Sequence, residues 1–169
     1  LAESALKKED VFKASRSDAI SLVGAAGALK IKKLYDENKI NGVISWAGSV
    51  GTSTATMVMR ALPIGFPKIM LSTLASGDVS SWLGNKDIYI VNPISEKGVN
   101  KVTRKLIGNA AAAIVGMARY REIQNMDVKP LVALTAYGTT TPTVIKCEKY
   151  MHERGWDSII IHQVGTGAT

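Results

Sequence analysis

Short apolar runs punctuate this chain: VISW at 43–46, KIMLS at 68–72, DIYIV at 87–91, LVALT at 131–135 and SIIIH at 158–162. Each is rich in β-branched or large apolar residues and is bounded by Gly, Pro, Asn or Asp, as buried strands are. Segments with helical spacing lie between them. From Ser15 or Ser17 to about Asn38, apolar residues recur at Ile20, Val23, Ala26, Leu29 or Ala28, Ile31 and Leu34. Residues 53–62 read as a helix stopped by Pro63, and 143–154 as one stopped by Gly155. Between 98 and 120, Val99, Val102, Leu106, Ala110, Ala113 and Met117 repeat every three to four residues. Strands alternating with helices predict an α/β fold, with parallel sheets carrying helices on both faces.

The polar stretch REIQNMDVKP (121–130) has no apolar period and reads as a linker, after which the strand–helix pattern restarts. The expectation is two Rossmann-like units. Residues 1–125 form the first, whose N-terminal part lies outside the sequence. Residues 126–169 begin an incomplete second, because the chain stops at Gly165-Thr166-Gly167, where another helix is due. The sequence therefore reads as a fragment of a longer protein.

With 169 residues, 46% of them apolar, the chain is long enough to bury a core. No run approaches the roughly 18 apolar residues of a membrane span, and LAESALKKED is no signal peptide. One cysteine, Cys147, excludes an internal disulfide and points to a reducing compartment, the cytoplasm. The net charge is +7, but the basic residues are spread along the chain and aromatics make up only 6%. Stacking platforms for single-stranded nucleic acid need aromatics beside the charge, so solvated helix faces are expected instead.

Ligands of open parallel sheets bind beyond the carboxyl ends of the strands. That rule selects AGSVGTST (47–54), STLASGD (72–78), AYGTTT (136–141) and QVGTG (163–167), all rich in Gly, Ser and Thr. Gly allows close backbone approach, and a helix start offers free N–H groups to an anion. Four such loops at one sheet edge, from two units, predict a cleft for phosphate groups. None is a Walker loop, since no Lys-Ser/Thr pair follows Gly51. Asp78 could hold Mg²⁺ against phosphates through water or cap the next helix. Arg60 is expected to face solvent or pair with an acid, and His152 to lie on the surface. His162, ending a strand beside the last loop, is a candidate ligand contact. One Cys and two His fit no zinc spacing, and no nucleophile elbow occurs. No catalytic set is recognisable.

Taken together, GVISWAGSVGTST, MRALPIGFPK, STLASGD, NAAAAIVGM, TAYGTTTP and the terminal GTG resemble the ATP-binding domain family of the tomato mosaic virus resistance protein, an uncharacterised Rossmann-like protein family. The resemblance covers most of residues 16–167. It implies two Rossmann-like subdomains with a nucleotide between them, and dimerisation. It carries binding roles to Gly48, Ser49, Gly51 and Thr52; to Ser72, Thr73, Ser76, Gly77 and Asp78; and to Gly138, Thr139, Thr140, Gly165, Thr166 and Gly167. The family's GGSGGT stands here as Ala47-Gly48-Ser49-Val50-Gly51-Thr52. Val50 cannot take a positive φ cheaply, so its peptide is not expected to touch phosphate. The leading reading is a nucleotide-binding protein, taking ATP with Mg²⁺. The alternative is a homodimeric scaffold or protein-interaction domain, whose loops are structural and whose small-residue helix (98–120) forms the interface. A third reading is a phosphosugar or acyl-phosphate enzyme using Asp78 or His162.

Overall fold

A computed structural model describes residues 7–95, 98–123 and 129–164. The chain divides into two compact units, Leu1–Gln124 and Asn125–Thr169. The first holds a parallel sheet of order β1-β2-β3, formed by Val43–Ala47, Lys68–Ser72 and Tyr89–Val91. Its main helices are α2 (Arg16–Asp36), α3 (Ser49–Arg60) and α5 (Lys101–Ile123). A short helix α1 (Lys8–Lys13) and a 3₁₀ turn at Thr73–Ser76 have no counterpart in the sequence reading, whereas α4 (Ser80–Leu83) is the helix expected after Asp78.

Central strand β2 is buried along its whole length and organises two apolar clusters. On one face Met70 packs with Met59 of α3, Ile88, Ala55 and Leu83. On the other, Ile69 and Leu71 pack with Ile107, Ala110, Ile114 and Met117 of α5. Helices thus cover both faces of this sheet. Helix α2 lies against α3, where Gly24 faces Met57 and Gly27 faces Val58 so closely that added Cβ atoms would collide. Ser15 caps α2 as expected, its Oγ accepting from Asp18 N–H at 3.2 Å.

The buried stripe of α5 differs from the predicted one. Val99 before it and Val102 and Ala113 on it are exposed and Thr103 is buried instead, while Ala110 is buried as expected. The helix begins at Lys101 because Asn100 caps it: Asn100 Oδ1 accepts from Val102 and Thr103 N–H, and Thr103 Oγ1 accepts from Asn100 N–H. That reciprocal cap fixes the phase of the first turn. At its far end α5 continues to Ile123, into the segment read as linker.

Strand β3 starts at Tyr89 rather than Asp87, since Asp87 has another task. Lys68 enters β2 fully buried, and its Nζ donates to Pro63 C=O at 2.8 Å and Phe66 C=O at 2.7 Å. The same ammonium pairs with Asp87 Oδ1 at 2.8 Å, while Asp87 Oδ2 accepts from Gly65 N–H. Burying a charge this deeply is tolerable only with such complete pairing.

In the second unit, β4 (Leu131–Ala136) pairs in parallel with β5 (Asp157–His162), joined through α6 (Thr141–His152). Pro142 sits in the first turn of α6, where its missing N–H costs nothing. Gly155, at φ +78°, turns the chain out of the helix. No helix among the described residues is long and apolar enough to cross a membrane.

Candidate functional site

The glycine-rich stretch after β1 is mostly helix rather than loop. Gly48 is the N-cap of α3, and Ser49, Val50, Gly51 and Thr52 already belong to its first turn. Its hydroxyls turn inward on their own backbone: Ser53 Oγ donates to Ser49 C=O, Thr54 Oγ1 to Val50 C=O and Thr56 Oγ1 to Thr52 C=O. Val50 needs no positive φ in this setting; among the described non-glycine residues only Asn38 and Ile94 have one. The expectation that the Val50 peptide would be excluded therefore loses its physical basis.

The first intrahelical bond runs from Thr52 N–H to Gly48 C=O at 2.8 Å. The amides of Ser49, Val50 and Gly51 precede it and have no acceptor within the helix. They point out of the carboxyl edge of the sheet, at the positive end of a helix 12 residues long. A Cβ on Gly51 would stand 2.4 Å from Ala47 Cβ, so glycine lets this turn sit directly on β1. At Gly48 a Cβ would meet nothing nearer than Thr73 Oγ1, 3.9 Å away. The surroundings of Gly48 are thus open, and the second predicted loop supplies a hydroxyl beside it.

Thr52 and Ser72 have a different place. Both are fully buried, and Thr52 Oγ1 lies 2.7 Å from Ser72 Oγ, which also accepts from Leu74 N–H at 3.1 Å. These hydroxyls tie the opening of α3 to the end of β2. Ser76, Gly77 and Asp78 are exposed. Asp78 Oδ1 accepts from Ser80 N–H at 2.9 Å, capping α4. That bond, helped by the Ser80 side chain, holds its carboxyl below the ordinary carboxylate range. Trp82 of α4, unremarked in the sequence, donates its indole N–H to Ser53 Oγ at 3.0 Å. Arg60 pairs with no acid among the described residues; its Nη1 donates to Ser81 C=O at 3.2 Å.

Past β3, at the same edge of the sheet, Ile94 is 73% exposed and holds φ +65°. A β-branched residue with positive φ is strained, and no feature of the sequence marks it.

In the second unit, Gly138 and Thr139 are exposed, while Thr140 Oγ1 is turned back on Tyr137, accepting from its N–H and donating to its C=O, both at 3.0 Å. His162 is exposed at the end of β5, and its Nδ1 meets Val164 N–H and C=O at 3.2 and 3.1 Å. Gly165, Thr166 and Gly167 lie outside the described residues. His152 stands at the amino end of β5, its Nε2 3.2 Å from Ser158 Oγ and 3.5 Å from Asp157 Oδ1. Both partners share one ring nitrogen, so this is no Ser-His-Asp relay, which needs both nitrogens. Among the described residues no three His, Cys, Asp or Glu side chains form a metal-holding group.

Comparison with known proteins adds lineage to this geometry. The model of the uncharacterised protein family (UPF0261) N-terminal domain matches residues 1–123. A UPF0261 protein of Clostridium tetani is 37% identical over 166 residues, 98% of this chain and 40% of that protein. Another from Mesorhizobium japonicum is 38% identical over 152 residues, 89% of this chain and 38% of that one. The ToMV resistance protein Tm-1(GCR237) of Solanum lycopersicum is 33% identical over 158 residues, 90% of this chain and 21% of that protein. The chain thus spans about two-fifths of the length of these bacterial relatives.

Proposed function

This chain belongs to the uncharacterised protein family UPF0261, and from that premise we propose that its first unit binds the phosphates of a nucleotide, taken as ATP with Mg²⁺. The observation that carries the reading is the opening turn of α3. Three amides without intrahelical acceptors sit behind an uncluttered Gly48, with Thr73 Oγ1 beside it. This donor set is neutral. Helix dipoles offset only about half a charge, so a polyphosphate bound here would bring a divalent cation. The ion's preference for oxygen and retained water suits phosphates and the exposed Asp78 carboxylate. Thr52 and Ser72 act in this reading as the frame that fixes the turn, and Ser49 Oγ, Thr73 Oγ1 and Ser76 Oγ as contacts. The corresponding loop of the second unit offers Gly138, Thr139 and Thr140.

Calorimetry on this chain tests the reading, using ATP, ADP and inorganic tripolyphosphate, each with Mg²⁺. Saturable heat with tripolyphosphate and ATP is expected; its absence for every phosphorylated ligand overturns it.

A second reading, a homodimer formed through α5, draws on the exposed Val102, Val115 and Tyr120 of that helix. A Cβ at Gly116 meets nothing within 4 Å, so Gly116→Trp fits the monomer and disturbs only an interface. A variant that scatters light as wild type does, as a dimer, ends this reading.

A further inference from the structure

The segment between Gly77 and Gly84 is held against α3 in an unusual way. Neither the 3₁₀ turn Thr73–Ser76 nor α4 contains a buried residue. Leu83 alone of this segment joins the apolar cluster under α3. The remaining attachments are polar and few: the Trp82 indole N–H on Ser53 Oγ, and Arg60 on Ser81 C=O. Both ends of the segment are glycine. A Cβ at Gly77 would meet only Leu74 C=O, 3.9 Å away, and Gly84 holds φ +53°, a conformation other residues adopt with strain. A segment with few apolar contacts and exposed hydrogen bonds opens at low cost.

The Trp82 contact also leads into the opening turn. Ser53 Oγ accepts from Trp82 and donates to Ser49 C=O at 3.2 Å. Ser49 C=O and Val50 N–H belong to one peptide unit. An anion accepting from Val50 N–H polarises that peptide and makes Ser49 C=O a stronger acceptor. Ser53 Oγ then becomes a better acceptor for the indole, since linked hydrogen bonds strengthen one another. We propose that Gly77–Gly84 is a hinged strap latched to α3 by Trp82, and that an anion at the opening turn of α3 tightens the latch. The latch stands on the geometry alone; its tightening rests on the phosphate reading above. Trp82 is in this account a positioning residue, touching Ser53 and not the anion.

Amide hydrogen exchange on this chain separates the two statements. The reporters are the Trp82, Leu83 and Gly84 amides, which bond to Val79 and Ser80 carbonyls. In Trp82→Phe, which keeps a ring but loses the donor, these amides exchange about fivefold faster without ligand, the worth of one hydrogen bond. The interior of α3 is unchanged. Ser53→Ala, which leaves Trp82 in place, gives the same acceleration. Tripolyphosphate with Mg²⁺ slows strap exchange, relative to Mg²⁺ alone, in wild type and not in Trp82→Phe. Equal strap exchange in wild type and both variants overturns the latch. Equal slowing by tripolyphosphate in wild type and Trp82→Phe overturns the tightening. If no phosphate ligand gives heat with wild type while both variants still free the strap, the phosphate reading and the tightening fall and the latch is upheld.

Discussion

Gly48 and Gly51 stand three residues apart in one turn, yet the structure gives them opposite sensitivities. In Gly51→Ala the new Cβ would stand 2.4 Å from Ala47 Cβ. Carbon atoms pack at about 3.5–4.0 Å, so the turn must retreat from β1 by about 1 Å. Both atoms are fixed to backbone, and no rotamer change relieves the contact. Overpacking of this kind costs about 1–3 kcal/mol, against a gain of about 1 kcal/mol for replacing Gly by Ala inside a helix. The net expectation is a loss of up to about 2 kcal/mol, with weakened anion binding because the amides move with the turn. In Gly48→Ala the backbone, at φ −83°, accepts a side chain and the nearest atom is 3.9 Å away. Ala is a poorer N-cap than Gly but restricts the unfolded chain by about 0.4–1 kcal/mol, so stability changes little. The methyl group instead stands before the free amides, and tripolyphosphate affinity falls at least tenfold. Urea unfolding followed by tryptophan fluorescence, in a Trp156→Phe background so that only Trp46 and Trp82 report on the first unit, measures stability. Calorimetry measures affinity. Wild-type affinity in Gly48→Ala would refute the placement of the anion at this turn. A gain of about 1 kcal/mol in Gly51→Ala, the full helix benefit with no clash against it, would refute the close seating of α3 on β1.

Asp87→Ala should destabilise the first unit more than Lys68→Met does, by urea midpoint. Asp87 is about one-third exposed and can be rehydrated, whereas Lys68 is sealed in. Removing one partner of a buried pair costs about 3–5 kcal/mol, reduced here by the two carbonyls that remain on Lys68; the reverse order would show the ammonium reaching water. Thr52→Val leaves Ser72 Oγ without its hydroxyl partner and should cost about 1–2 kcal/mol, with weakened binding only as the turn loosens; a calorimetric loss without a stability loss would make Thr52 a direct ligand. Ile94→Asn should raise stability by about 1 kcal/mol, since Asn tolerates positive φ; a lower urea midpoint would assign Ile94 a packing role. Asp78 has a depressed folded-state pKa, so its contribution is present above the unfolded value of 3.8 and is lost as pH falls through the lower folded value. An NMR titration of Asp78 and of the Ser80 amide should therefore show the cap releasing below pH 3.8; a midpoint above that value would reverse the sign.

The strands were readable because each is a short apolar run bounded by Gly, Pro, Asn or Asp, and β2, β4 and β5 fall within a residue of their predicted bounds; the expected burial holds for β2 alone of these, since Leu131 of β4 and Ile159 and Ile160 of β5 are exposed. Hydroxyl-rich helix starts are harder. Ser and Thr favour turns when their side chains compete with the backbone, and AGSVGTST, placed after a strand and rich in Gly, Ser and Thr, reads as a loop. In the folded chain those hydroxyls bond to carbonyls one turn back, so the competition is resolved inside α3. Composition alone cannot distinguish the two outcomes; the seating of Gly51 on Ala47 decides between them, and that contact exists only once β1 and α3 are folded together. The same holds for Lys68, which opens an apolar strand in sequence and looks like a strand-end charge. Its burial depends on Asp87, nineteen positions later, arriving beside it.

Folding also divides the predicted phosphate contacts into two kinds that a motif cannot separate. Thr52 and Ser72 spend their hydroxyls on each other in the interior, while Ser49, Thr73, Ser76 and the amides of the first turn remain available at its rim. A turn whose donors are mostly backbone is specified by what holds it in place. The residues that matter most for an anion here are therefore those that fix the turn: Gly51 against β1, the Thr52–Ser72 pair beneath it, and Ser53 with Trp82 at its flank. Substitutions among them should alter affinity in proportion to how far the amides move, whereas substitutions at Gly48 should alter affinity alone.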